Sequence, residues 1–176
     1  MALGLGLLFL ASQPTMATVG EPAFDEYEVK AAYLYNLAKF VVWPDSALPS
    51  PESNFVIAIL GPDPFGPEID HLLLNRSANG HKIRLERADA LEQLGRCHIL
   101  FLSPALEAKA GAILEQLKGQ PVLTVSDIAG FGERGGMFTF YLEAQSVRLE
   151  VNQTAAQQAG LQLSAKLLSV AASRKR

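Results

Sequence analysis

Residues 25–44 read DEYEVKAAYLYNLAKFVVWP, from Asp25 to Pro44. Asp25 is a helix N-cap residue type, and Glu28 three positions later completes a capping-box-like signal. Apolar side chains at Val29, Ala32, Tyr33, Leu37, Phe40 and Val41 recur at helical spacing. A second set, Ala31, Leu34, Tyr35, Ala38 and Val42, fills the other side, leaving Lys30, Asn36 and Lys39 as the strongly polar positions after Glu28. A helix apolar nearly all round must be covered on most faces, inside the domain or in a subunit contact. Pro44 is expected to end it, since proline disfavours helical geometry at Trp43 and has no N–H to donate. The spacing therefore predicts a central helix on which a small α/β domain is assembled.

Upstream, Leu3 to Ala11 form an apolar run too short to span a bilayer as a mature helix. Small residues follow, with a cleavage point expected after Ala17. The pattern reads as a secretory signal peptide over residues 1–17, although no Lys or Arg precedes the run. The competing reading is a buried N-terminal strand. No later stretch is long and apolar enough to span a membrane, so no membrane insertion of the mature chain is expected. Residues 18–176 are one domain's worth of chain. With 49% hydrophobic and 19% charged residues this is not a disordered composition, and a net charge of -3 offers no basic field for nucleic acid. The single cysteine, Cys97, precedes an apolar run. It is either a buried thiol or, in an exported protein, a cysteine that pairs between chains.

Short apolar runs at Phe55–Leu60, His98–Leu102 and Pro121–Val125, each bounded by turn signals, are expected to be strands buried on both faces. His81–Arg87 alternates as an exposed or edge strand would. Helices are expected at Pro67–Leu74, Pro104–Lys118, Gln153–Ala159 and Leu161–Ala172. The glycine-rich stretch Ile128–Gly136 is expected to be a flexible loop. Met137–Leu142 and Val147–Val151 alternate and form a hairpin. Repeated βαβ units imply a mostly parallel sheet flanked by helices, with the hairpin antiparallel at one edge. The fold class is α/β, a single domain.

No motif for chemistry emerges. The turn Gly61-Pro-Asp-Pro-Phe-Gly66 lacks the spaced glycines or the Gly-Lys-Ser/Thr that a phosphate-binding loop needs, and Asp63 would repel phosphate. Ser103 and Ser126 follow strands without a nucleophile elbow and read as cap or turn residues. His71, His81 and His98 lack metal-ligand spacing. Neither a cofactor nor a catalytic residue is expected. Gly135 and Gly136 precede a strand whose alternation places Phe138 and Phe140 on an exposed face, a surface suited to protein contact. The alternative is an ordinary edge strand with its apolar face on the core.

Several signatures stand together in order: Val29-Lys-Ala-Ala-Tyr-Leu-Tyr-Asn36 with Phe40 and Trp43-Pro44; Ile59-Leu-Gly61 with Asp63-Pro-Phe-Gly66; Cys97-His-Ile-Leu-Phe101; Pro121-Val-Leu-Thr-Val-Ser-Asp127; Gly135-Gly136; Val147-Arg-Leu-Glu-Val-Asn152; and Leu163-Ser-Ala-Lys-Leu-Leu168. In this combination the chain resembles the YfiR family of small exported bacterial proteins over essentially all of residues 18–176. The resemblance implies a periplasmic, non-enzymatic regulator. It would repress an inner-membrane diguanylate cyclase by binding its periplasmic sensor domain, lowering cyclic di-GMP and biofilm formation. It also implies a homodimer. Only Cys97 matches a family cysteine, so the resemblance does not extend to an internal redox disulfide. The partner surface is expected on the hairpin, at Phe138, Phe140, Glu143 and Arg148, together with the C-terminal helix. The alternative is a periplasmic small-molecule-binding protein that uses the strand ends near Asp63, Ser103 and Ser126.

Overall fold

A computed structural model describes residues 25–48 and 50–173; the signal peptide expected over residues 1–17 lies outside the described residues. Helix α1 covers Glu26–Phe40. Asp25 caps it, its Oδ1 accepting from the backbone N–H groups of Tyr27 and Glu28 at 3.0 and 3.2 Å. Strand β1 (Val41–Val42) follows directly. The chain continues through β2 (Phe55–Leu60), α2 (Pro67–Leu73), β3 (Ser77–Ala78), β4 (His81–Ala88), β5 (Ile99–Leu102), α3 (Ala110–Gln116) and β6 (Leu123–Ser126). It closes with β7 (Phe138–Glu143), β8 (Ser146–Val151), α4 (Gln153–Gln158), β9 (Gln162–Leu163), α5 (Ala165–Val170) and β10 (Ala172–Ser173).

The main sheet has the order β10-β8-β7-β6-β5-β2-β4-β3. Pairs β2–β4, β2–β5, β5–β6, β6–β7 and β8–β10 are parallel, while β7–β8 and β3–β4 are antiparallel. The α/β class and the antiparallel hairpin expected from the sequence are thus present. The central strands β2, β5 and β6 are buried along their whole length, because helices cover both faces. On one face α1, α2 and α5 pack over Phe55, Ile57, Ile59, Phe101 and Val125. On the other, α3 packs over Val56, Ala58, Leu60 and Leu100. Leu34 and Leu37 of α1 are fully buried, each stabilising the fold by about 1.5–3 kcal/mol relative to exposure.

Four segments differ from the sequence reading, the first being the helix expected over Pro104–Lys118, which opens as a 3₁₀ stretch over Pro104–Lys109 and is α-helical over Ala110–Gln116. The central helix stops at Phe40, before Pro44. The β-branched pair Val41–Val42 instead forms β1, antiparallel to β9, and the Ser164 N–H donates to the Phe40 carbonyl at 3.1 Å. The expected helix over Leu161–Ala172 shortens accordingly: its first residues supply β9, and Ser164 caps α5 by accepting from the Leu167 N–H. The stretch Ile128–Gly136 is a pinned loop rather than a flexible one. Phe131 is fully buried, a 3₁₀ turn runs over Gly132–Arg134, and Gly136 lies under the Phe131 ring so closely that a Cβ there would fall 2.2 Å from a ring carbon.

His98 locks the start of β2 to the turn at 45–47. Its Nδ1 accepts the Val56 N–H at 2.9 Å, its Nε2 lies 3.1 Å from the Ala47 carbonyl, and its ring stacks on Phe55. A ring that accepts at Nδ1 and donates at Nε2 is neutral. Burial lowers its pKa below the ordinary histidine value. Between the folded pKa and about 6.5 the unfolded chain binds a proton that the folded chain does not, so stability falls as pH drops through that window. The urea midpoint should therefore decline below about pH 6.5 and be flat with respect to this group above it. His98→Gln should start from a lower midpoint and lose that part of the slope; an unchanged slope would remove His98 as its source.

Candidate functional site

The hairpin β7–β8 is joined by Ala144 and Gln145, both at positive φ (47° and 61°), as a tight two-residue connection requires. Only its root belongs to the main sheet: β7 pairs with β6 at Phe138 and Thr139, and from Phe140 onward with β8 alone. The rest is a ribbon reaching past the end of β6. Its register sets Phe138 opposite Val151, Phe140 opposite Leu149 and Leu142 opposite Val147.

That register decides which side chains face solvent. Phe138 and Phe140 are fully buried with Val147, Leu149 and Val151, and the Phe140 ring lies 5.8 Å from that of Tyr33 on α1. The exposed face expected for the two phenylalanines is their core face, and they hold the ribbon from beneath. Glu143 and Arg148 are exposed and joined at 3.1 Å, a contact worth little in water. On the same face stands Tyr141, directly opposite Arg148, while Leu142, 53% exposed, lies on the Phe138–Phe140 side of the ribbon beyond the end of the core. The sequence reading missed these two. The signal was the V-x-L-x-V alternation of Val147, Leu149 and Val151: antiparallel pairing carries Phe138 and Phe140 to the same side as that apolar row.

A second group lies at the root of the ribbon. Asp127, directly after β6, accepts from the Lys30 ammonium at 2.5 Å and from the Tyr27 hydroxyl at 2.8 Å through Oδ2. Glu26 is also paired with Lys30, which is 1% exposed. Lys30 further sits over the Tyr27 ring, 4.2 Å from its centroid. Burial and the neighbouring carboxylate push the Tyr27 phenol well above its ordinary pKa, so it donates and does not ionise. Asp127 Oδ1 is buried and has no hydrogen-bond partner among the described residues. Sequence spacing had no means of pairing Lys30 with a residue 97 positions away.

The strand-end polar groups are engaged internally. Asp63 accepts from the Phe65 N–H and from Arg87 Nε, both at 2.7 Å. Ser126 donates to the Leu102 carbonyl and accepts from the Ile128 N–H. Ser103 is buried, and Leu106 packs against Gly61 beside it. A cavity of about 620 Å³ lies elsewhere, between α3, the Glu133–Gly135 turn and α4, with Thr124, Arg134, Asn152 and Gln158 in its lining. Cys97 is buried, and desolvation pushes its thiol up to about 12, so it carries almost no thiolate near neutral pH.

A family model described as YfiR/HmsC-like matches residues 27–172. None of the curated proteins matches the chain.

Removing one partner of a buried ion pair leaves an uncompensated charge. Lys30→Met is expected to lower the unfolding free energy by about 3–5 kcal/mol, and Lys30→Met/Asp127→Leu to recover most of that loss. Urea unfolding of the two variants checks this; a single variant as stable as the parent would mean that the pair does not hold α1 in place.

Proposed function

Because the chain belongs to the YfiR/HmsC-like family, we propose that it is a periplasmic, non-enzymatic regulator that binds the periplasmic sensor domain of an inner-membrane diguanylate cyclase and holds it inactive. The observation that carries this reading is the family match over residues 27–172, which takes in every element from the first helix to β10. A protein that binds only the inactive state of its partner shifts that partner's equilibrium by its differential affinity and needs no chemistry of its own. On this reading, release raises cyclic di-GMP and favours biofilm.

The contact surface we assign is the ribbon: Glu143 and Arg148 with the exposed Tyr141 and Leu142, held by Phe138 and Phe140 from the core side. An apolar anchor flanked by exposed charges suits a regulatory contact that must also release. A homodimer and a signal peptide over residues 1–17 complete the reading. The competing reading, a periplasmic small-molecule-binding protein, has in its favour the 620 Å³ cavity beside α4, a size within the range of ligand sites.

Deleting the gene should raise cyclic di-GMP, and the wild-type gene should restore it. Leu142→Asp/Arg148→Glu should fail to restore it while melting within a few degrees of the wild type, because both side chains are exposed. Unchanged cyclic di-GMP on deletion would overturn the regulator reading, and full complementation by the variant would overturn the assignment of the surface. Export makes its own prediction: intact mass of the periplasmic protein should correspond to a chain beginning at Thr18.

A further inference from the structure

The outer flank of α1 carries an alternating row of cations and aromatic rings assembled from three parts of the chain. Arg76, just past α2, has its guanidinium 5.5 Å from the centroid of Tyr35. The Lys39 ammonium lies 5.1 Å from the same ring and 5.8 Å from that of Phe40. Lys166 of α5 lies 4.9 Å from the centroid of Phe40. The order is thus Arg76, Tyr35, Lys39, Phe40, Lys166. All three cations are exposed, and none forms an ion pair with a carboxylate among the described residues.

This is unusual on a chain whose net charge is -3. The segments that meet here, residues 29–42, 74–84 and 160–173, contain no Asp or Glu at all. The rings keep the cations oriented without neutralising them. Of the four large hydrophobic side chains exposed among the described residues, two stand close to this row along the chain: Leu74, 68% exposed, two positions before Arg76 and lining a cavity with it, and Val42, 56% exposed, two positions after Phe40. Beside Arg76 a cavity of about 590 Å³ brings in Lys82 above Leu73 and Ile83. Asp70 also lines it, but is held bidentately by Arg87.

We propose that this row is a docking surface for an anionic lipid bilayer, with the three cations on lipid phosphates and Leu74 and Val42 at the boundary between headgroups and acyl chains. Laterally spaced cations match laterally spaced phosphodiesters, and exposed aliphatic side chains beside them are the companion feature of interfacial binding. An acidic protein segment would satisfy the charges but leave both aliphatic side chains in water. The contact is reversible and superficial, and no described helix is long and apolar enough to cross a membrane. The inference is independent of the cyclase reading.

Each cation near an anionic surface adds about fivefold to partitioning, so the row should favour anionic over neutral vesicles by roughly 100-fold. The test is sedimentation of the purified mature protein with phosphatidylcholine vesicles, with and without phosphatidylglycerol. Binding should require the anionic lipid, weaken steeply with added salt and be abolished in Lys39→Glu/Arg76→Glu/Lys166→Glu. Lys39→Gln/Lys166→Gln, a milder change that keeps the fold testable, should fall between. Equal binding to both vesicle types, no binding to either, or vesicle binding undiminished in the triple variant would each overturn the proposal. Binding to polyglutamate but not to anionic vesicles would overturn it in favour of an acidic protein partner.

Discussion

Lys30 is a charge taken out of water, and the fold around it is arranged to answer that cost. An ammonium buried to 1% exposure is tolerated only where carboxylates and hydrogen bonds replace its hydration. Here Asp127 comes from the end of the central strand β6, and Glu26 from the turn before Lys30 on α1. The pair fixes both the height and the rotation of α1 over the sheet. Once that is set, Leu34, Leu37 and Ala38 fall onto the core, and Tyr33 comes within 5.8 Å of Phe140. The ribbon rests on α1, and α1 rests on the ion pair.

The parts of the fold legible in the sequence were those whose burial is simple. β2, β5 and β6 are covered on both faces, so each is a continuous apolar run bounded by turns. Asp25 and the hairpin were legible because caps and turns are local. What escaped is non-local. β1 and β9 are two residues each and exist only because they pair with one another. Lys30 stood out only as one of three polar positions on an otherwise apolar helix, because its partner lies 97 positions away. The loop over 128–136 looked flexible because its glycines stand out and its anchor, Phe131, does not. Gly136 is there to clear that ring.

The candidate contact surface was half legible. The exposure of Glu143 and Arg148 follows from turn chemistry and alternation. The side on which the aromatics lie does not follow from β7 alone, because Phe138, Phe140 and Leu142 alternate equally well in either phase. The neighbouring strand breaks the tie. Val147, Leu149 and Val151 form the stronger apolar row, and antiparallel pairing commits β7 to match it. Tyr141 is therefore turned outward, and Leu142, which shares the core-side row, projects into solvent past the end of the core.

The layer order makes the two proposed surfaces compatible. α1 covers the sheet face on which Phe138 and Phe140 are buried, and Tyr35, Lys39 and Phe40 of the proposed cation row lie on that helix. Tyr141, Glu143 and Arg148 project from the opposite face of the ribbon. A bilayer seated against α1 would thus leave the charged face of the ribbon clear of lipid. It would also confine the protein to the plane in which a membrane receptor diffuses, so a weak ribbon contact would act at a raised effective concentration. Sharing α1 does not by itself couple the two sites energetically. Coupling needs an element with two arrangements that both ligands bias, and the buried Lys30–Asp127 pair works against such movement at the end of the helix nearest β6.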